Sequence, residues 1–116
     1  SSTIGALAEL LLDQGVVYLC AWGPDCERVH DIADERIVWR ELEIEPKPPV
    51  IMTTWHTDDT LDDMLWFLLN VADPDPAYEP TCHTRLALCI DNPSWAEQIE
   101  RRLNDPQTLN REMRES

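Results

Sequence analysis

Apolar residues along the chain recur with two different periods, and the places where one period gives way to the other divide it into elements. Ile4, Leu7, Ala8, Leu11 and Leu12 fall at helical spacing, with Ser2 or Thr3 available as a cap and Gly15 where a left-handed residue ends a helix, so the pattern predicts a helix over about 3–14. Val16–Trp22 follows without polar alternation, as in a parallel strand covered on both faces. Gly23-Pro24 breaks that run, Asp25 is a candidate cap, and Val29, Ile32 and Ala33 mark the inner face of a helix near 25–35. Ile37 and Trp39 then alternate with polar neighbours, so Arg36–Ile44 reads as an edge strand. Glu45-Pro46-Lys47-Pro48-Pro49 forms a stiff extended connection, since each proline fixes φ and removes a donor.

Val50–Trp55 reads as a central strand leading into a helix over about 59–72, capped by Thr57 or Asp59. Its buried stripe is Leu61, Met64, Leu65, Leu68 and Ala72. The prolines of 73–76 end that helix, and a loop through Tyr78 and Cys82 leads to a last strand, Arg85–Asp91. Asn92 as cap and Pro93 at the first helical position open a fourth helix with Trp95, Ala96, Ile99 and Leu103 on one face. Residues 105–116 are mostly polar and read as a partly helical or frayed tail on a single domain spanning 1–104. Alternating strands and helices imply an α/β fold: a small three-layer sandwich with a mostly parallel sheet of three to four strands and helices on both faces.

Composition narrows the classes of function. Among 116 residues, 23 acidic against nine basic side chains leave a net charge of −14. Such a chain repels nucleic acid and anionic membranes and favours a basic partner. Nothing in the pattern spans a membrane or resembles an export signal, and an opening on Ser1 without methionine suggests a processed or trimmed start. Of four cysteines, Cys20 and Cys89 fall in expected strands, where a thiol acts as a small hydrophobe, so a reducing cytoplasm is the expected compartment.

In open parallel sheets ligands sit beyond the carboxyl ends of the strands. Those ends carry Trp22, Asp25, Cys26, Trp55, His56, Asp58, Asp91 and Trp95. Trp22-Gly23-Pro24-Asp25-Cys26 resembles the Trp-Cys-Gly-Pro-Cys loop of thioredoxins but lacks the first thiol, so dithiol chemistry has nothing to run on. Cys26 at a helix start, with His30 or His56 as base and Asp25 nearby, is the alternative catalytic set. Cys26 and His30 offer half of a zinc site, but no second half at fixed spacing appears, so no metal is expected. With three glycines and no phosphate-cradling motif, no nucleotide cofactor is expected either.

On the third helix Trp66 falls opposite the buried stripe, beside Asp59, Asp62, Asp63 and Asn70. An indole among carboxylates is an anchor type for recognising a basic protein, though a covering element would explain it equally well. Ala21–Asp31, Thr54-Trp55-His56, Leu65-Trp66-Phe67 and Ala77-Tyr78 together resemble an uncharacterised bacterial domain family of unknown function, over roughly 16–100. That resemblance transfers no catalytic residue. The leading expectation is a non-enzymatic, acidic interaction module that captures a basic protein, like bacterial immunity proteins in size and acidity alone. A homodimer is compatible with the sequence, and the other class is a small enzyme or ligand-binding domain on the carboxyl edge.

Overall fold

The computed structural model describes residues 2–115, which form five α-helices, one short 3-10 turn (Pro76–Tyr78) and two strands. These are α1 (Ser2–Asp13), β1 (Tyr18–Trp22), α2 (Cys26–Glu41), β2 (Met52–His56), α3 (Leu61–Asn70), α4 (Pro93–Asn104) and α5 (Pro106–Glu115). The chain forms two compact units, one of Ser1–Thr57 with Asp73–His83, the other of Asp58–Ala72 with Thr84–Ser116.

In the first unit, α1 ends as its sequence implies. Gly15 has φ 92, and the amides of Gly15 and Val16 reach back to the carbonyls of Leu12 and Leu11, a left-handed terminus that needs no side chain. The residue preceding Ser2, where a cap would sit, lies outside the described residues. β1 and β2 pair in parallel, with Tyr18 opposite Met52 and Trp22 opposite His56. In parallel pairs register partners point to the same side, so Leu19, Ala21, Thr53 and Trp55 share one face and Tyr18, Cys20, Trp22, Thr54 and His56 the other.

α2 covers the first of these faces and α1 lies against α2. The edge strand read over Arg36–Ile44 is not formed: α2 runs through to Glu41. Cys26, Ala33 and Ile37 are buried in one line at helical spacing, and Arg40 binds Glu9 and Asp13 of α1, so tertiary contacts outweigh the local two-residue alternation. Asp25 does precede α2, but at φ 61 its side chain makes no capping bond. Instead the Gly23 carbonyl accepts from the Cys26 amide and closes the turn.

In the second unit α3 packs against α4 and α5, which also touch each other. Leu61, Met64, Leu65 and Ala72 are buried as the stripe implied. The cap is Thr60 rather than Thr57 or Asp59, in a reciprocal box: Thr60 Oγ1 accepts from the Asp63 amide, and Asp63 Oδ2 from the Thr60 amide. Asn92 caps α4 through the Trp95 amide, with Pro93 in the first turn. In α4 the inner position belongs to Arg102, while Ala96, expected inside, is exposed. Asp105 caps α5 by accepting from the amide and hydroxyl of Thr108, and Leu109 is fully buried. Residues 85–91, read as the last strand, form none among the described residues, so the sheet has two strands and not three or four.

Candidate functional site

The exposed side of α2 is the most distinctive surface of the first unit. Cys26, His30, Ala33 and Ile37 face the sheet, so the opposite side presents Arg28, Asp31, Glu35, Val38, Trp39 and Leu42, with Glu27 and Asp34 exposed along its flank. Between positions 26 and 45 there are seven acidic residues and three arginines. Two of those arginines are already engaged: Arg40 in ion pairs of 2.6 Å with Glu9 and 2.7 Å with Asp13, Arg36 with its guanidinium 5.2 Å from the centre of the Trp39 ring. At the carboxyl end of the face, Val38, Trp39, Leu42 and Ile44 are all exposed, Leu42 to 77%. Large apolar side chains gathered at one end of an acidic helix mark a contact surface more than scattered ones do.

Reading 36–44 as a strand hid this surface. A strand places Val38 and Trp39 on opposite faces, whereas a helix brings Val38, Trp39 and Leu42 to one side. The recurrence of Ala33 and Ile37 four positions apart was the available signal.

Beneath that face lies a polar cluster. His30 Nε2 is 2.9 Å from Thr53 Oγ1, its Nδ1 is 3.0 Å from Asp31 Oδ1, and its ring lies 4.5 Å from that of Trp55. Thr53 Oγ1 also donates to Asp34 at 3.4 Å. The cluster fastens α2 to β2 and fixes the imidazole at both nitrogens.

The catalytic set read from the sequence is not gathered. Cys26 is buried, whereas Asp25 is exposed. His56 bonds to Thr54 on the opposite face of the sheet from His30. Cys20 shares that face, where burial pushes its thiol up despite a lowering hydrogen bond with Thr54. Trp22 and Trp55 end neighbouring strands but point to opposite faces. Among the described residues no group of three His, Cys, Asp or Glu side chains stands close enough to hold a metal ion. Among the described residues no helix is long and apolar enough to cross a membrane.

In the second unit, the carboxylates expected around Trp66 are largely engaged. Asp62 accepts from Arg102 and Gln98, Asp63 serves the Thr60 cap, and Asn70 bridges the Trp66 carbonyl to Asn110 of α5. Burial pushes the Asp62 carboxyl up, but the bonds from Arg102 and Gln98 and the charges of Arg102 and Arg101 outweigh it and hold it below the usual range. Trp66 itself is half-buried, as is Trp95, while Asp58 and Asp59 are exposed.

The chain is thus a small α/β protein whose first unit displays an acidic helix face with an aromatic end. A family model described as a domain of unknown function (DUF7684) matches residues 1–106, and the chain belongs to that family, in keeping with the resemblance read from its sequence. Comparison with curated proteins and with solved structures finds no match.

Proposed function

We propose that the protein is a non-enzymatic recognition module that captures a basic partner on the exposed face of α2. The observation that carries this reading is the apolar cluster of Val38, Trp39 and Leu42 at the end of a carboxylate-rich helix face. Long-range attraction by a chain of net charge −14 would bring a cationic surface in, and desolvation of the indole and leucine would hold it. The anchor is placed at Trp39 rather than Trp66, because Asp62 and Asn70 beside Trp66 serve contacts with α4 and α5.

A synthetic amphipathic peptide of leucine and lysine at helical spacing, with its glutamate counterpart as control, serves as the probe. The lysine peptide binds and the glutamate peptide does not. Trp39→Ala raises the dissociation rate by about tenfold or more, as at a central anchor, whereas Glu27→Gln with Glu35→Gln mainly lowers the association rate. Equal binding of both peptides, or normal binding by Trp39→Ala, would defeat the proposal.

A second reading rests on the Thr53–His30–Asp31 arrangement, which has the order of a hydroxyl nucleophile, an imidazole base and an orienting carboxylate. In that reading the Thr53 hydroxyl turns its hydrogen from Asp34 to His30 and attacks an ester carbonyl, and His30 takes that proton and passes it to the departing alkoxide, which leaves as the alcohol. Water then hydrolyses the acyl-threonine. Hydrolysis of p-nitrophenyl acetate above the buffer rate that Thr53→Ala abolishes would favour it, and no such difference would dismiss it.

A further inference from the structure

Thr53 stands between two groups that compete for its single hydroxyl hydrogen. Its Oγ1 lies 2.9 Å from His30 Nε2 and 3.4 Å from Asp34 Oδ1, while the other ring nitrogen, Nδ1, lies 3.0 Å from Asp31 Oδ1. A hydroxyl has one hydrogen to give, and an ionised carboxylate only accepts. Nδ1 facing the Asp31 carboxylate therefore carries a hydrogen, and two arrangements of the rest satisfy the distances. If Thr53 donates to Nε2, the imidazole is neutral and Asp34 is left to water. If Thr53 donates to Asp34, Nε2 must itself donate to Thr53 Oγ1, and the ring carries both protons. The two differ by one proton on His30 and by the direction of one hydroxyl.

We infer that the Thr53 hydroxyl is a switch read by a proton: uptake at His30 Nε2 turns the hydroxyl to Asp34 and joins the carboxylates of Asp31 and Asp34 to one imidazolium. On α2 itself the charged neighbours of the ring are Asp31 and, one turn to either side, Glu27 and Asp34, with the Cys26 thiol on the same inner line. From β2 the ring meets Thr53 and the Trp55 indole, and on that face β1 presents Leu19 and Ala21, none of them charged. On α1, Glu9 and Asp13 are held by Arg40, ten positions further along α2. The exchange belongs to the range of about pH 5–8, where imidazoles change charge. Asp34 flanks the face assigned to a basic partner, so drawing it into the clasp beside a positive charge weakens the pull of that face as pH falls. This consequence rests on the recognition role proposed for α2, whereas the switch itself does not.

Nitrogen-15 spectra of the histidine rings of the full chain, from about pH 8.5 to pH 5, test the switch whether or not the lysine peptide binds; the His30 signals are those lost in His30→Gln. At the alkaline end Nδ1 is protonated and Nε2 bare, and at the acid end both are protonated. Asp34→Ala, at an exposed position, removes one acceptor and lowers the midpoint of the His30 transition by about half a pH unit or more, as loss of a modest hydrogen bond implies. In a Thr53→Val background the same change lowers it by only about 0.2–0.4, the effect of an exposed charge pair four positions apart on a helix. Thr53→Ser, which keeps the hydroxyl, restores the larger shift. A bare Nδ1 at alkaline pH would overturn the inference, and that observation needs no variant. So would an Asp34→Ala shift of equal size with and without the Thr53 hydroxyl.

Discussion

Removing Arg102 should destabilise the second unit far more than removing Arg40 destabilises the first, although both arginines join two carboxylates. Arg102 holds Asp62 bidentately, Nε to Oδ1 at 3.1 Å and Nη2 to Oδ2 at 2.9 Å, and reaches Glu112 at 2.6 Å, so one side chain of α4 ties α3 to α5. Its side chain is 11% exposed, against 33% for Arg40. Hydrogen bonds to charged groups contribute roughly 1.5–3 kcal/mol each when shielded. The three contacts here share one guanidinium, and solvent reaches part of both carboxylates, so Arg102→Ala should cost about 2–3 kcal/mol in all. For Arg40, whose partner Asp13 is largely exposed, the range for surface pairs, roughly 0.2–1 kcal/mol, applies. With a urea slope near 1–1.5 kcal/mol per molar for a chain of this size, the first change lowers the midpoint by about 2 M and the second by less than about 1 M. Arg102→Met, which keeps the packing of the stem, separates lost charge from lost volume. If Arg102→Ala shifts the midpoint no more than Arg40→Ala, the reasoning from burial fails.

The same pair sets a dependence on acid. Because the folded Asp62 carboxyl titrates below its ordinary value, its contribution is present above about pH 4, the unfolded range for aspartate, and is lost as pH falls through the lowered folded value. Urea midpoints measured between pH 6 and pH 2.5 should therefore fall at the acid end, less steeply for Arg102→Ala; identical slopes would show that the pair has no such role. Cys26, at 3% exposure, should resist iodoacetamide in the folded chain while half-buried Cys82 and Cys89 react, and should react on unfolding. Fast alkylation of native Cys26 would place it at the surface and reopen its candidacy as a nucleophile.

Elements whose evidence is local were legible in the sequence. Gly15, the run ending at Trp22, the stripe from Leu61 to Ala72, and Asn92-Pro93 each act through neighbours in the chain, and each stands where its pattern implied. What failed depends on partners distant in sequence. Ile37 and Trp39 show the same two-residue alternation in a helix as in a strand, and contacts from Arg40 to Glu9 and Asp13, some thirty positions away, accompany the helix. Residues 85–91, read as a strand, form none among the described residues, and local pattern says nothing of which backbone would pair with them. Arg102 was overlooked for a related reason: a charged residue is read as exposed until its counter-charge, forty positions earlier at Asp62, is known. For the proposed site, the acidity of the chain was legible, but a helix face carrying Trp39 was not, because that depended on whether 36–41 is a strand or a helix.

Charge and apolar exposure on the α2 face should affect capture through different rate constants. The carboxylates of Asp31 and Glu35 stand within about two turns of Trp39, so attraction to a cationic partner and desolvation of the anchor act together, and screening removes the first. A titration of the full chain from about 50 to 500 mM salt, spanning Debye lengths on either side of 10 Å, should weaken capture of the lysine peptide mainly by slowing association. Trp39→Ala should weaken it mainly by hastening dissociation. Capture indifferent to salt, or a Trp39→Ala chain whose loss lies only in association, would show that the carboxylates and the indole do not act as one surface, and the role assigned to the end of α2 would have to be given up.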